Sequence, residues 1–271
     1  MSHPVLAGLA SEDAAARAAA CDAARQDPAA ILFVDALVAT LSDPDRRVCR
    51  AASAALVEIG RDDDQVLSRL RTVIHDSAPA ARLEAAWVWA RLEPPPIQLL
   101  PPIVTALDTA RGDRRWRAAR LLVELGRLHA EVLPVVESLL GPEHPPRVRR
   151  IALTALRALA PAAPATLERT LEASRDPDAG LRRLALATLP ALAGPAEAPE
   201  SLWLRCLEGA EHEADATTRR AASRALDALG APPAHLHERV ARVRRANAQE
   251  RPASTRLREE ESVHGEGAWA E

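Results

Sequence analysis

The chain has 271 residues, of which 48% are hydrophobic and 2% aromatic, and its net charge at pH 7 is −3. This charge argues against a protein that simply coats nucleic acid, although a local basic strip stays open. Three scattered cysteines offer neither a disulfide framework nor a paired zinc motif, and no apolar run approaches the roughly 18 residues that span a bilayer. We therefore expect a cytoplasmic protein.

The first predicted element is an N-terminal cap in residues 1–27. Its segment 12–26 is rich in alanine and has a high helix propensity. The repeated pattern of the later chain is degenerate there, as is common in the terminal unit of a repeat protein.

The central part of the chain repeats a thirteen-residue frame, first seen at 48–60 as V-C-R-A-A-S-A-A-L-V-E-I-G. Positions 1, 5, 8, 9 and 12 form one apolar stripe when the frame is wound at about 100° per residue. The ninth positions are 33, 33, 34, 33 and 37 residues apart: Leu56, Trp89, Leu122, Leu156, Leu189 and Leu226. A helix with one stripe must pack on its neighbours, so this period predicts a helical-repeat protein.

A second helix precedes each framed helix. Four apolar residues mark it at intervals of 33: Val34, Leu67, Leu100 and Leu133. We predict six antiparallel pairs of a helix A and a helix B in residues 28–230. Pro101 and Pro134 recur inside two A helices and should bend both.

The chain ends with a predicted capping helix in residues 231–250 and a polar tail in 251–271. The tail holds too little apolar surface to offset the cost of ordering, so we expect it to be disordered. A short recognition motif around Trp269 is the alternative.

The repeat resembles a known family. The segments D-P-D-R-R-V-C-R-A-A-S-A-A-L-V-E-I-G and S-R-D-P-D-A-G-L-R-R-L-A-L-A-T-L-P-A-L-A-G are similar to the short bacterial HEAT-like repeat, also seen in phycobilin lyase subunits. The resemblance covers about residues 28–230 and implies an all-α fold, a right-handed, armadillo-like α-solenoid. It says little about function, because the same repeat serves scaffolds, adaptors, chromophore lyases and DNA glycosylases.

The resemblance also implies a ladder of hydrogen bonds between turn acids and an arginine early in helix B. Frame position 2 supplies Arg82, Arg115, Arg149, Arg182 and Arg219, and Cys49 departs from the pattern. The candidate acids are Asp43, Asp76, Asp113, Glu143, Asp176 and Asp215. Arginine suits this role because its guanidinium binds a carboxylate in two places.

In HEAT arrays the B helices line the concave groove, which would expose frame positions 3 and 7. These positions predict a partner-binding surface of aromatic and cationic side chains: Leu83, Trp87, Trp116, Arg120, Arg150, Arg183, Arg220 and Arg224. Tryptophan and arginine are enriched at interface hot spots. The alternative is that the tryptophans pack on loops and the arginines pair with nearby acids.

Signatures of catalysis are poor. No Gly-rich phosphate loop or nucleophile elbow occurs, and His235 and His237 point to different sides of a helix. We expect no catalytic residue, metal site or cofactor, and a scaffold that binds an acidic, partly apolar protein or peptide. The alternatives are a bilin-lyase-like subunit and a nucleic-acid-binding protein that uses the arginines.

Overall fold

The computed structural model describes residues 3–76, 78–160, 163–193 and 198–250, without the side chains of residues 76, 193 and 247–250. In these ranges the chain forms helices and no strand. The predicted all-α helical-repeat class is confirmed. The chain divides into two compact units, Met1–Leu159 (unit 1) and Ala160–Glu271 (unit 2). The predicted tail, with Trp269, lies outside the described residues.

Unit 1 contains ten α-helices within its described residues. They are α1 (Pro4–Leu9), α2 (Ala14–Gln26), α3 (Val34–Thr40), α4 (Arg46–Gly60), α5 (Gln65–Asp76), α6 (Pro79–Leu92), α7 (Leu100–Thr109), α8 (Asp113–Leu128), α9 (Val132–Ser138) and α10 (Pro146–Leu159). Each odd-numbered helix packs on the even-numbered helix that follows, and each even-numbered helix packs on the next even-numbered one. The framed B helices are therefore α4, α6, α8 and α10.

The region predicted as an N-terminal cap holds two helices, α1 and α2. Because α2 packs on α4 as the B helices pack on each other, α1 and α2 form a further pair. The sequence did not show this pair because its frame is degenerate.

Unit 2 contains α11 (Pro164–Ala173), α12 (Ala179–Ala193), α13 (Glu200–His212), α14 (Ala216–Ala228) and α15 (His237–Glu250) among its described residues. The framed helices α12 and α14 pack on each other and on α11 and α13, respectively. The helix predicted at the C-terminal end, α15, packs on both α13 and α14.

The apolar stripe forms the core, as the frame predicts. The six residues at position 9 are all buried, with Leu122 fully inaccessible. Position 5 is alanine in every copy and is also fully buried: Ala52, Ala85, Ala118, Ala152, Ala185 and Ala222. A small residue at this position lets neighbouring helices approach closely while the leucines supply most of the buried apolar area.

Turn acids begin several of the B helices. Asp45 accepts a hydrogen bond from the Arg47 backbone N–H at 2.8 Å, and Asp215 accepts one from the Thr218 N–H at 2.7 Å. Such N-caps satisfy N–H groups that have no partner inside the helix.

The two recurring prolines do not lie in the interior of a helix, where a proline would bend it. Because α7 begins at Leu100 and α9 at Val132, Pro101 and Pro134 each fall in a first turn. No intrahelical bond is lost there, so the expected bends are wrong and the prolines instead favour helix initiation.

Two glycines let consecutive B helices approach at their C-terminal ends. A Cβ on Gly60 of α4 would lie 2.6 Å from Leu92 Cδ1 of α6, and one on Gly126 of α8 would lie 2.5 Å from Leu159 Cδ1 of α10. Each glycine therefore accommodates the leucine that ends the next B helix.

Candidate functional site

Two tryptophans of unit 1 form an aromatic pair on adjacent B helices. The rings of Trp87 on α6 and Trp116 on α8 have centroids 6.5 Å apart and are tilted by 47°. Trp87 is half-buried, whereas Trp116 is 54% exposed. Tilted pairs at this distance are favourable, and the exposed ring leaves its outer face free for another contact.

Three arginines surround the pair. The guanidinium carbons of Arg91 and Arg117 lie 4.2 and 4.8 Å from the Trp87 ring centroid. The guanidinium carbon of Arg120 lies 5.6 Å from the Trp87 centroid and 5.1 Å from the Trp116 centroid. All four distances suit cation–π attraction. We call these five residues the tryptophan–arginine surface.

Carboxylates hold the arginines in place. Glu124 lies 3.6 Å from Arg91 and 3.2 Å from Arg120. Glu84 lies 2.7 Å from Arg117, and its side chain is only 3% exposed. The predicted alternative, pairing of groove arginines with acids, therefore applies to these arginines, yet the pairing also positions them around the rings.

Glu84 is the centre of a polar cluster that the sequence analysis missed. It also accepts a hydrogen bond from Arg114 at 3.3 Å, while Asp113 lies 3.4 Å from Arg117. A buried carboxylate needs such partners because its charge has lost most of its hydration. Arg114, which breaks the apolar pattern at frame position 1, thus extends to a buried acid.

The predicted groove position of Leu83 is wrong, because this side chain is buried. Arg46 and Arg50 of α4 lie 2.7 and 2.9 Å from Asp113 of α8. These ion pairs join the helices on either side of α6.

The region around the tryptophan–arginine surface has more arginines than carboxylates in its ion pairs. Six arginines of this region face three carboxylates: Arg46, Arg50, Arg91, Arg114, Arg117 and Arg120 against Glu84, Asp113 and Glu124. The remaining predicted residue of unit 1, Arg150, is half-buried on α10.

In unit 2, the predicted residues surround one cavity between α12 and α14. It has a volume of ≈850 Å³, and its lining includes Arg183, Arg220 and Arg224. Arg183 donates a hydrogen bond to Thr217 Oγ1 at 2.8 Å. These three arginines thus line one cavity, while their predicted role in partner binding and a continuous strip through both units stay predictions.

The hydrogen-bond ladder is present in part. Arg182 donates to both oxygens of Glu213, at 3.0 and 2.8 Å, and to the carbonyls of Asp176 and Pro177 in its own turn, at 2.9 Å each. The guanidinium lowers the pKa of Glu213. The acid is therefore Glu213 rather than Asp215, which caps α14.

A second rung of this kind lies in unit 1. Asp43 accepts hydrogen bonds at 2.7 and 3.0 Å from Arg17 of α2, which lowers the pKa of Asp43. Arg17 is the fourth residue of α2, as Arg182 is of α12. It was missed because α2 was not read as a B helix.

Two other predicted ladder arginines bind backbone carbonyls, and the ladder role of Arg82 and Arg149 stays a prediction. Arg115 donates to the backbone carbonyls of Leu107 and Ala110, and Arg219 donates to that of Glu213 at 2.6 Å. Arg82 is half-buried on α6, and Arg149 is buried on α10.

Two other predicted acids have these contacts. Asp176 accepts a hydrogen bond from the Asp178 backbone N–H at 2.8 Å, and Asp113 binds Arg46, Arg50 and Arg117. The side chain of Asp76 lies outside the described residues.

The three cysteines are buried and free. Burial raises the thiol pKa of Cys21 to about 11 and that of Cys206 to about 12, and it also raises that of Cys49. Thiols of this kind are poor nucleophiles at neutral pH because the reactive thiolate is scarce. In the described ranges, no group of three or more His, Cys, Asp or Glu side chains could hold a metal ion. None of the described helices combines the length and apolar character that a bilayer-spanning helix needs.

No protein-family model and no curated protein matches the chain. Among solved structures, it is similar to the karyopherin Kap121p bound to the extreme C-terminus of the protein phosphatase Cdc14p. The identity is 17% over 83% of this chain and 28% of that chain, with a TM-score of 0.52. The chain thus spans little more than a quarter of the karyopherin's length.

Two further similarities are to artificial repeat proteins. An engineered protein is 19% identical over 88% of this chain and 70% of its own length, with a TM-score of 0.43. A designed armadillo repeat protein is 18% identical over 69% of this chain and 98% of its own, with a TM-score of 0.36. At these identities the likenesses concern the fold alone, and that fold is a HEAT- or armadillo-like helical repeat.

Proposed function

We propose that this chain is a non-enzymatic scaffold whose tryptophan–arginine surface binds an acidic protein segment with an apolar anchor. The observation that carries the proposal is the exposed ring of Trp116 beside Arg120, in a region with more arginines than carboxylates in its ion pairs. A ring that is over half exposed gains by being covered, and the arginines favour acidic residues on either side of the covering group.

The arrangement of the surface supports this choice of ligand. Trp87 is held between arginines that are themselves held by Glu84 and Glu124, so little side-chain freedom is lost when a ligand binds. Arg120 lies at the edge of the pair and is exposed, so it is available to a carboxylate of the partner.

The similarity to a karyopherin bound to the C-terminus of another protein lends the proposal support at the level of fold. A helical-repeat protein of this class can hold a peptide segment. The identity of the partner does not follow from this similarity. The bacterial, phycobilin-lyase type of the repeat does not follow from it either and stays a prediction. The cytoplasm stays the predicted compartment, because unpaired cysteines are typical of reducing environments.

A peptide library displayed on phage tests the proposal. We expect selection on the wild-type protein to give peptides in which acidic residues flank one aromatic or leucine residue. Trp116→Ala should weaken the selected peptide about tenfold or more, as is usual for a hot-spot tryptophan. The melting temperature should not change, because the ring is exposed.

The matched control is Leu128→Ala. Leu128 lies on the same helix and is also 54% exposed, but it is outside the tryptophan–arginine surface. Equal binding by wild type and Trp116→Ala, or an equal loss in Leu128→Ala, would reject this surface as the binding site.

The nucleic-acid alternative draws on Arg183, Arg220 and Arg224 around the α12–α14 cavity. It requires affinity for an oligonucleotide that falls steeply with salt. A chromophore-lyase role has less support, because the cysteines are buried with raised pKa values.

A further inference from the structure

A second cavity of unit 2 lies among α13, α14 and α15. Its volume is ≈740 Å³, within the range of small-molecule sites. Its polar lining comes mainly from four arginines, and we call it the four-arginine cavity: Arg219 and Arg220 of α14 with Arg239 and Arg242 of α15.

The cavity is formed by one face of each of two helices. Its lining residues on α14 and on α15 each follow the spacing i, i+3, i+4 and i+7. Between the arginines lie apolar groups, including Val243 and alanines of all three helices. The lining of the cavity thus consists of apolar side chains and arginine guanidinium groups.

The carboxylates near this cavity are already engaged. Glu211 pairs with Arg239 at 2.7 Å, and Glu213 pairs with Arg182 at 2.8 Å. Asp215 accepts hydrogen bonds from Thr217 and Thr218 at the start of α14. Glu211 and Glu213 are therefore paired, whereas Asp215 keeps its charge but forms no ion pair with the described arginines of the cavity.

Three arginines of the four-arginine cavity have no carboxylate within 4.0 Å among the described residues, and we call them uncompensated in this sense. Arg219 donates to the Glu213 backbone carbonyl, which positions it without neutralising it. In the part of the chain that the structure describes, Arg220 and Arg242 have no carboxylate within 4.0 Å. Such a surplus in a partly enclosed cavity favours an anion that brings more than one charge.

We propose that the four-arginine cavity binds a small organic dianion with an apolar body, and that a phosphate monoester is its preferred form. Guanidinium groups bind the oxygens of phosphate in pairs, and three uncompensated arginines match a group with three terminal oxygens. Val243 and the alanines would contact the apolar body. Dicarboxylates share the doubly charged chemistry and are separated from phosphate monoesters by the test.

Calorimetric titration of the full chain with phenyl phosphate tests this site, with inorganic phosphate, succinate and phenol as comparisons. We expect phenyl phosphate to bind more tightly than inorganic phosphate, since only the former contacts the apolar walls. Succinate should bind more weakly, and phenol should not bind measurably. Absence of phenyl phosphate binding at millimolar concentration, or equal binding of phenol, overturns the proposal. Tighter binding of succinate overturns the preference for phosphate.

Arg220→Gln and Arg242→Gln locate the ligand. Each should weaken phenyl phosphate binding about tenfold or more, because each removes a charge-assisted contact. Arg245→Gln is the matched control, since Arg245 is another exposed arginine of α15 but does not line the cavity. An equal loss in Arg245→Gln would show general attraction to a basic surface and overturn the site.

The inference is independent of the tryptophan–arginine surface. Trp116→Ala should bind phenyl phosphate as the wild type does, whatever its effect on peptides. Loss of phenyl phosphate binding in Trp116→Ala would place the probe in unit 1 and overturn the assignment to unit 2.

Discussion

Glu84 offers a direct test of how unit 1 supports its binding surface. Its side chain is 3% exposed and its two oxygens bind Arg117 at 2.7 Å and Arg114 at 3.3 Å. Glu84→Gln keeps the size of the side chain and removes its charge. Two arginines then lose the buried acid that compensates them.

The expected loss of unfolding free energy can be worked from these contacts. Removing one partner of a buried ion pair costs about 3–5 kcal/mol. Here the Arg114 side chain is 29% exposed, and Arg117 keeps Asp113 at 3.4 Å, so water and a second acid compensate in part. We therefore expect a loss of about 2–3 kcal/mol, at or just below the lower end of that range.

Glu124→Gln is the matched control. Glu124 also pairs with two arginines, but its side chain is 26% exposed. Exposed ion pairs contribute about 0.2–1 kcal/mol, so this variant should be close to wild type.

Unfolding in urea distinguishes the two variants, because urea is uncharged and does not screen ion pairs. Helix circular dichroism and tryptophan fluorescence should both report a midpoint about 1 M lower for Glu84→Gln, given slopes of about 1–3 kcal/mol per M. Similar shifts for both variants would refute the reasoning that burial makes Glu84 the more important acid.

Two further predictions concern the core and the ladder. Leu122→Ala should lower the unfolding free energy by about 2–5 kcal/mol through a core cavity, whereas the exposed Leu128→Ala should change it little; equal effects in thermal unfolding would contradict the core placement. Arg17 lowers the pKa of Asp43. Their contact therefore stabilises the fold at pH values above the unfolded-state pKa of about 3.9, and this stabilisation is lost as the pH falls through the lower folded-state pKa. The melting temperature of wild type should therefore exceed that of Asp43→Asn at pH 7 and converge with it near pH 2, and a constant difference would argue against the ion pair.

The core of the fold could be predicted from the sequence because one stripe determines it. Leu56, Trp89 and Leu122 recur at one repeat length, and such a period leaves only packing between neighbours as a way to bury the stripe. The face of a helix follows from its period, and this made Trp87 and Trp116 recognisable as members of one surface.

The width of the buried face could not be predicted in the same way. Leu83 lies at the frame position that exposes Trp116 one repeat later, yet its side chain is buried, and ion pairs join the flanking helices α4 and α8. Which side chains cover a position depends on helices two repeats apart, and a frame that compares equivalent positions does not contain this information.

One signal for the missed acids was present. Glu84 and Arg117 occupy frame position 4 of adjacent repeats, and Arg91 and Glu124 occupy position 11 of the same two repeats. Opposite charges at one frame position in successive copies therefore indicate a contact between B helices. The same comparison did not reach Arg17, because no frame had been assigned to α2.

The B helices of unit 1 are held by different contacts at their two ends, as the close approach at Gly60 and Gly126 shows. At the C-terminal ends, the glycine backbone lies against a leucine side chain, which would have to move to accommodate one more carbon atom on the glycine. At the N-terminal ends of α4 and α8, the contacts are made by long arginine side chains that reach Asp113 and can lengthen or shorten their span. Unit 1 thus holds the C-terminal ends of its B helices by contacts of a glycine with a leucine, and the N-terminal ends of α4 and α8 by arginine side chains that share one acid.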